Sequence, residues 1–156
     1  MLVFIIVIGP LTDLLIKRFP RCFVRSFIFS SAAFAASSCF LFIVYFGGNN
    51  SSLVMVCIAI NMGFCGTLPT QILPTIMEQF PKTFSLACGL INGLNNCAGF
   101  LAPFCVSFFT SDDVYNRHNW NMVFLSCVAI YGLGVLCFNM LIFIPQKSSK
   151  DIEVSI

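Results

Sequence analysis

The sequence predicts an all-α membrane protein with four full transmembrane helices behind a truncated first one. Three observations predict it. Of 156 residues, 58% are apolar and 9% charged, and the mean hydropathy is +0.95. A soluble domain carries roughly 25% charge to face water. Four apolar stretches each reach the length of about 20 residues that a helix needs to cross the hydrocarbon core. The joints between them are short and polar, as between antiparallel neighbours, and no stretch alternates strictly like a barrel strand.

The amino-terminal segment, about 1–16, is apolar only as far as Leu11 before Thr12 and Asp13 interrupt it. At about 1.5 Å per residue it is too short to cross. It lacks the basic start and small-residue cleavage site of a signal peptide. We read it as the end of a helix whose beginning is missing, so the chain is expected to be a fragment or an incomplete gene product. The full spans follow at about 23–46, 53–77, 84–109 and 120–144. Residues 1–146 then form one helical half-domain, and 147–156 a tail.

Basic residues fix the orientation. Lys17, Arg18, Arg21 and Arg25 stand before or at the opening of the first full span, Lys82 in the second joint, and Lys147 and Lys150 in the tail. Four spans bring all seven to one side, leaving Arg117 opposite, beside Asp112 and Asp113. The basic side and the carboxy terminus are expected in the cytosol. Asn49 and Asn50 each begin an N-x-S sequon on the far side, although a tight unmodified turn explains so short a joint. The basic cluster near Arg18 marks topology and also suits anionic lipid.

Other classes fare poorly. Eight of the nine cysteines sit in apolar runs without a C-x-x-C pair, so they read as small buried hydrophobes. His118 stands alone, which leaves no metal site. A net charge of +2 does not suit nucleic acid. There is no paired-carboxylate site, no Ser–His–Asp set and no phosphate-cradling glycine loop, so an enzyme is not expected. No cofactor is expected either.

The informative residues lie within the spans. In the third, Gly89, Asn92, Gly93, Asn96, Gly99 and Pro103 recur at three- and four-residue steps along one face. Small residues permit close helix packing, so Gly89, Gly93, Gly99 and Pro103 read as a packing seam. Asparagines amid a membrane helix are costly without partners or water, which makes Asn92 and Asn96 candidates for lining a substrate pathway. In the second span, Asn61, Gly63, Gly66, Thr67, Pro69, Thr70, Gln71 and Pro74 form a polar, helix-breaking stretch. Asn61 joins the pathway candidates. The first and fourth spans make fewer demands and are expected at the periphery, with Ser30, Ser31, Ser37 and Ser38 bonding back to their own helix. Tyr45 and Trp120 read as interfacial anchors.

Gly9 to Arg18 has the form G-x-x-x-D-x-x-x-x-R at a helix end, and Val24-Arg25 follows. Further on come Glu78-x-x-Pro81-Lys82, then Gly89-Leu90-Ile91-Asn92-Gly93 through Gly99 to Pro103, then Trp120-Asn121-Met122-Val123-Phe124. In this order the motifs resemble the carboxy-terminal half of a major facilitator superfamily transporter. They are most similar to the anion and phosphate symporters that include sodium–phosphate cotransporters, vesicular glutamate transporters and sialin. Glu78 stands where that family usually has Asp.

The resemblance implies half of a twelve-helix fold, with the partial helix as the eighth. It also implies alternating-access transport of an anion of the phosphate, glutamate or sialate class, with sodium or a proton as coupling ion. Asp13 and Arg18 would form a cytosolic gate, helped by Glu78 and Lys82. The partners would be the lipid bilayer, a small anionic solute and the missing amino-terminal half. The membrane would be the plasma membrane or that of a vesicle or lysosome. The rival reading is a small four-span scaffold or interaction protein without transport.

Overall fold

The computed structural model describes residues 2–48, 50–111 and 115–143. The expected tail at 147–156, Lys147, Lys150, Asn49, Asp112 and Asp113 lie outside them. Six α-helices follow in order: α1 (Leu2–Ile16), α2 (Arg21–Phe46), α3 (Ser51–Cys65), α4 (Leu68–Gln79), α5 (Phe84–Thr110) and α6 (Arg117–Ile142). A single 3-10 turn, Pro81–Thr83, joins α4 to α5. No strand occurs among the described residues.

The second predicted span is broken into α3 and α4. Pro69 has no N–H to offer the preceding turn, and its ring crowds the carbonyl four residues back. The chain accommodates this at Gly66 and Thr67 by tightening. Gly66 N–H donates to Gly63 O at 3.2 Å and Thr67 N–H to Phe64 O at 2.9 Å, while both residues keep near-helical dihedrals. The break is therefore a hinge-like turn, and α3 with α4 still runs as one apolar stretch of 29 residues. Threonine hydroxyls cover carbonyls around it: Thr67 Oγ1 donates to Phe64 O at 2.7 Å and Thr70 Oγ1 to Thr67 O at 2.6 Å.

Among the described residues, α2, α3 with α4, and α6 are long and apolar enough to cross a membrane. Helix α5 has 27 residues, ample length, but Asn92, Asn95 and Asn96 make its middle more polar than theirs. The first helix stays a shorter apolar element, as its composition implied.

Packing centres on α2. Val24, Ile28, Phe29, Ala32, Ala33, Ala36 and Ile43 are all buried, and the alanines let neighbouring backbones come close. Phe29 stacks on Phe138 of α6 with ring centroids 4.0 Å apart, beside buried Ile142. The expectation that α2 and α6 are peripheral is thus corrected for α2, whose small-residue face makes it the hub of this helix set. Elsewhere on its surface Phe23, Phe27, Phe34, Phe42 and Phe46 are exposed.

The helix ends confirm the up-and-down order. Arg117 Nη2 donates to Val44 O at 3.2 Å, which puts the start of α6 beside the end of α2. Gln79 Nε2 donates to Leu141 O at 2.8 Å, which puts the end of α4 beside the end of α6. Tyr45 and Trp120 accordingly lie at one end, and Arg21, Arg25 and Lys82 at the other. Asn50 is used as the N-cap of α3, accepting from Leu53 N–H at 3.2 Å.

Candidate functional site

Three sets of polar side chains occur inside this apolar frame, and they differ in whether the chain itself satisfies them. The first is at the basic end. Arg25 lies one turn inside α2 and is 8% exposed. Its Nη1 and Nη2 donate to Glu78 Oε2 and Oε1 at 2.7 and 2.9 Å, a bidentate pair between α2 and α4. Arg21, one turn earlier, stands 3.6 Å from the same carboxylate. Planar guanidinium and carboxylate meeting at two points is the strongest geometry for such a pair.

The second set joins the helices at membrane depth. Asn61 Nδ2 donates to Ala36 O at 2.8 Å, and Asn61 Oδ1 accepts from Tyr131 OH at 3.3 Å and from Cys65 Sγ at 3.4 Å. Tyr131 OH and Cys65 Sγ themselves lie 2.7 Å apart. Asn139 binds across to α2 in the same way, paired with Ser26 Oγ and donating to Ser30 Oγ at 3.2 Å. Gln71, only 1% exposed, donates to Thr12 Oγ1 and Thr70 Oγ1 at 3.2 and 3.1 Å, which leaves its buried Oε1 unpartnered among the described residues.

The third set is the middle of α5. Its ends touch the rest through partly buried Phe84, Ala87, Cys88, Ile91, Val106 and Phe109, whereas residues 92–105 are exposed. Asn92, Asn95 and Asn96 make no hydrogen bond among the described residues. A Cβ placed on Gly89, Gly93 or Gly99 would meet nothing within 4 Å.

Several sequence expectations change accordingly. Asn61 was expected along a polar pathway. At 4% exposure with every amide group engaged, it is a cross-brace between α3, α2 and α6. Among the described residues, no helix packs against Gly89, Gly93, Gly99 and Pro103, so the seam expected there is an open face. Asn92 and Asn96 share that face. Asp13 and Arg18 are exposed at the end of α1 and make no ion pair with each other. Lys82 is exposed on the 3-10 turn. Glu78 meets two cations, Arg25 in a bidentate pair and Arg21 at 3.6 Å.

Ser31, Ser37 and Ser38 bond back to their own helix as expected, while Ser30 serves Asn139. Reading the sequence missed Arg25 and Asn139 as partners. Signals existed for both: Glu78 is the only acid between Asp13 and Asp112, and Ser26 and Ser30 are one helical turn apart.

The Asn61 brace has a measurable strength. Replacing Asn61 with Leu should lower stability by about 1–2 kcal/mol, the upper range for hydrogen bonds between membrane helices. Unfolding of the purified chain in detergent reads this directly. A loss below the scatter of surface substitutions would show that the three bonds contribute nothing net.

No solved structure matches the chain. Among curated proteins it is similar to the "Probable vesicular glutamate transporter eat-4" of Caenorhabditis elegans, with 27% identity over 108 residues. The match takes in 69% of this chain and 18% of that relative, so the chain spans a small part of the relative's length. The family model of the Major Facilitator Superfamily matches residues 1–154, from the partial helix through every helix described above. Helical membrane architecture and near-complete coverage by one family model agree, and the chain belongs to the major facilitator superfamily.

Proposed function

We propose that the chain acts within a secondary transporter of an anion, of the phosphate, glutamate or sialate class, supplying helices of one of its two halves. The open polar face of α5 carries this reading. Three asparagine amides in the middle of a 27-residue helix have no partner among the described residues, and amides facing bare lipid are costly. Water in a solute pathway, or a facing half, satisfies them. In such transporters the solute site lies near the midplane between the halves, and alternating access comes from one bundle rocking against the other.

The other observations fit the same arrangement. Arg25–Glu78, Asn61 and Asn139 tie α2, α3, α4 and α6 into one body, as a rocking half requires. The basic end takes the cytosolic side, which also gives the carboxy terminus to the cytosol. A sodium or proton gradient supplies the driving force, and the membrane is that of the cell surface or of a vesicle. The name of the similar protein, a vesicular glutamate transporter, supports an anionic solute.

Uptake by the complete transporter containing this chain tests the proposal, with radiolabelled phosphate, glutamate and sialic acid offered in turn under sodium and proton gradients. Saturable, gradient-dependent uptake of one of them is the expected result. A scaffold would give uptake no greater than empty vesicles for all three under both gradients, and that outcome would end the transport reading.

A further inference from the structure

We propose that the cavity between the amino-terminal end of α2 and the carboxy-terminal ends of α4 and α6 binds a phosphate-bearing anion. The cavity measures about 520 Å³ and is lined by Arg21, Cys22, Arg25, Glu78, Gln79 and Ile142 among others. No residue of α5 lines it, so it is separate from the open asparagine face.

Among the described residues its charges do not balance. Two guanidinium groups face one carboxylate. The bidentate bonds of Arg25 occupy both oxygens of Glu78, and Arg21 reaches the same carboxylate only at 3.6 Å. Arg21 is left with most of its donors free, on a side chain 69% exposed. Pro20 gives α2 no side-chain cap, its first turn has no acid, and Arg21 stands in that turn. A helix start is the positive end of the backbone dipole, and the negative ends of α4 and α6 offset that field at the cavity. The excess that remains is the second guanidinium, Arg21. Buried Arg25 fixes the floor of the cavity, and Arg21 stands at the rim as the adjustable donor.

A phosphate group matches this donor set in charge and shape, because guanidinium donors pair with phosphate oxygens at two points and backbone N–H groups at a helix start favour such anions. The cavity is at the end of the spans, where lipid headgroups and dissolved phosphate are both within reach. The shared chemistry is the phosphate anion.

Cys22, exposed on the cavity wall, reports occupancy. The full chain is placed in phosphatidylcholine nanodiscs with or without phosphatidylglycerol, and in neutral detergent with or without inorganic phosphate. Alkylation of Cys22 by uncharged N-ethylmaleimide is followed by peptide mapping, with exposed Cys137 as internal reference. With ligand at about four times its Kd, the cavity is mostly occupied and Cys22 should slow about fivefold. Arg21→Gln, which leaves the Arg25–Glu78 pair intact, should remove the protection, and Arg21→Lys should restore part of it.

Protection by phosphatidylglycerol alone identifies a lipid headgroup. Protection by inorganic phosphate as well identifies the phosphate group itself. Two results overturn the proposal: no protection in either arm, or protection that persists in Arg21→Gln. The second would show a general surface potential acting on the thiol.

Discussion

Replacing Glu78 with Gln should destabilise the chain by about 3 kcal/mol, while replacing Arg25 with Met should cost about 1 kcal/mol or less. The asymmetry follows from burial. The Arg25 side chain is 9% exposed and that of Glu78 is 40% exposed. Without the carboxylate, Arg25 keeps its charge on a side chain that is 9% exposed, and an undercompensated, largely buried charge is the costly outcome of breaking a buried pair. Without the guanidinium, Glu78 hydrates from its exposed side and still has Arg21 nearby. Its loss then resembles that of a surface pair.

The double variant should be close to Arg25→Met alone, since the buried charge that made Glu78→Gln expensive is gone. A coupling of about 3 kcal/mol across the cycle is the expected reading. Denaturant or thermal unfolding of the purified chain in detergent measures all four proteins. Equal losses for the two single variants would show that burial of Arg25 does not control the energetics of this pair.

The placement of the pair also bears on its role. Arg25 and Glu78 belong to α2 and α4, which pack together within this helix set. A contact inside one rigid body does not open when that body rocks against another. The pair is therefore a brace. On the proposed transport reading, a gate at the same end needs residues that reach across to a facing surface, a role expected of exposed Asp13 and Arg18.

The fold was largely legible because lipid imposes a coarse rule. Apolar runs of sufficient length, interrupted by charge or by glycine, asparagine and serine, must be helices and joints. Run length was therefore enough to place α2, α5 and α6. The break at Gly66 and Thr67 was legible as a tendency, from Pro69, but its exact form was not. Whether a proline kinks or splits a helix depends on which neighbours re-satisfy the freed carbonyls. The site was less legible, because partner choice is a matter of three dimensions. Asn61 and Asn92 look alike in sequence, each an amide amid apolar residues. Tyr131, Cys65 and the backbone of Ala36 surround one, and no described residue bonds the other. The glycines misled for the same reason: spacing shows that a face is smooth, not what lies against it.

That contrast makes Asn92→Leu and Asn96→Leu sharp probes of the proposed pathway. Both side chains are exposed and make no hydrogen bond among the described residues, so neither substitution removes such a bond or opens a cavity here. Leucine also removes an amide that lipid solvates poorly. The stability of the isolated chain should therefore stay within about 0.5 kcal/mol of the original, as for substitutions that touch nothing. Transport by the complete protein should behave differently. If the amides meet the solute or its water, uptake should fall at least about tenfold, the factor that corresponds to about 1.4 kcal/mol. Gly93→Leu on the same face serves as the comparison. It adds bulk without deleting a polar group, so it tests close approach of a facing helix. Loss of uptake in the glycine variant with normal uptake in both asparagine variants would assign the face to packing. Loss in the asparagine variants, with expression and chain stability unchanged, would assign it to the passage of the solute.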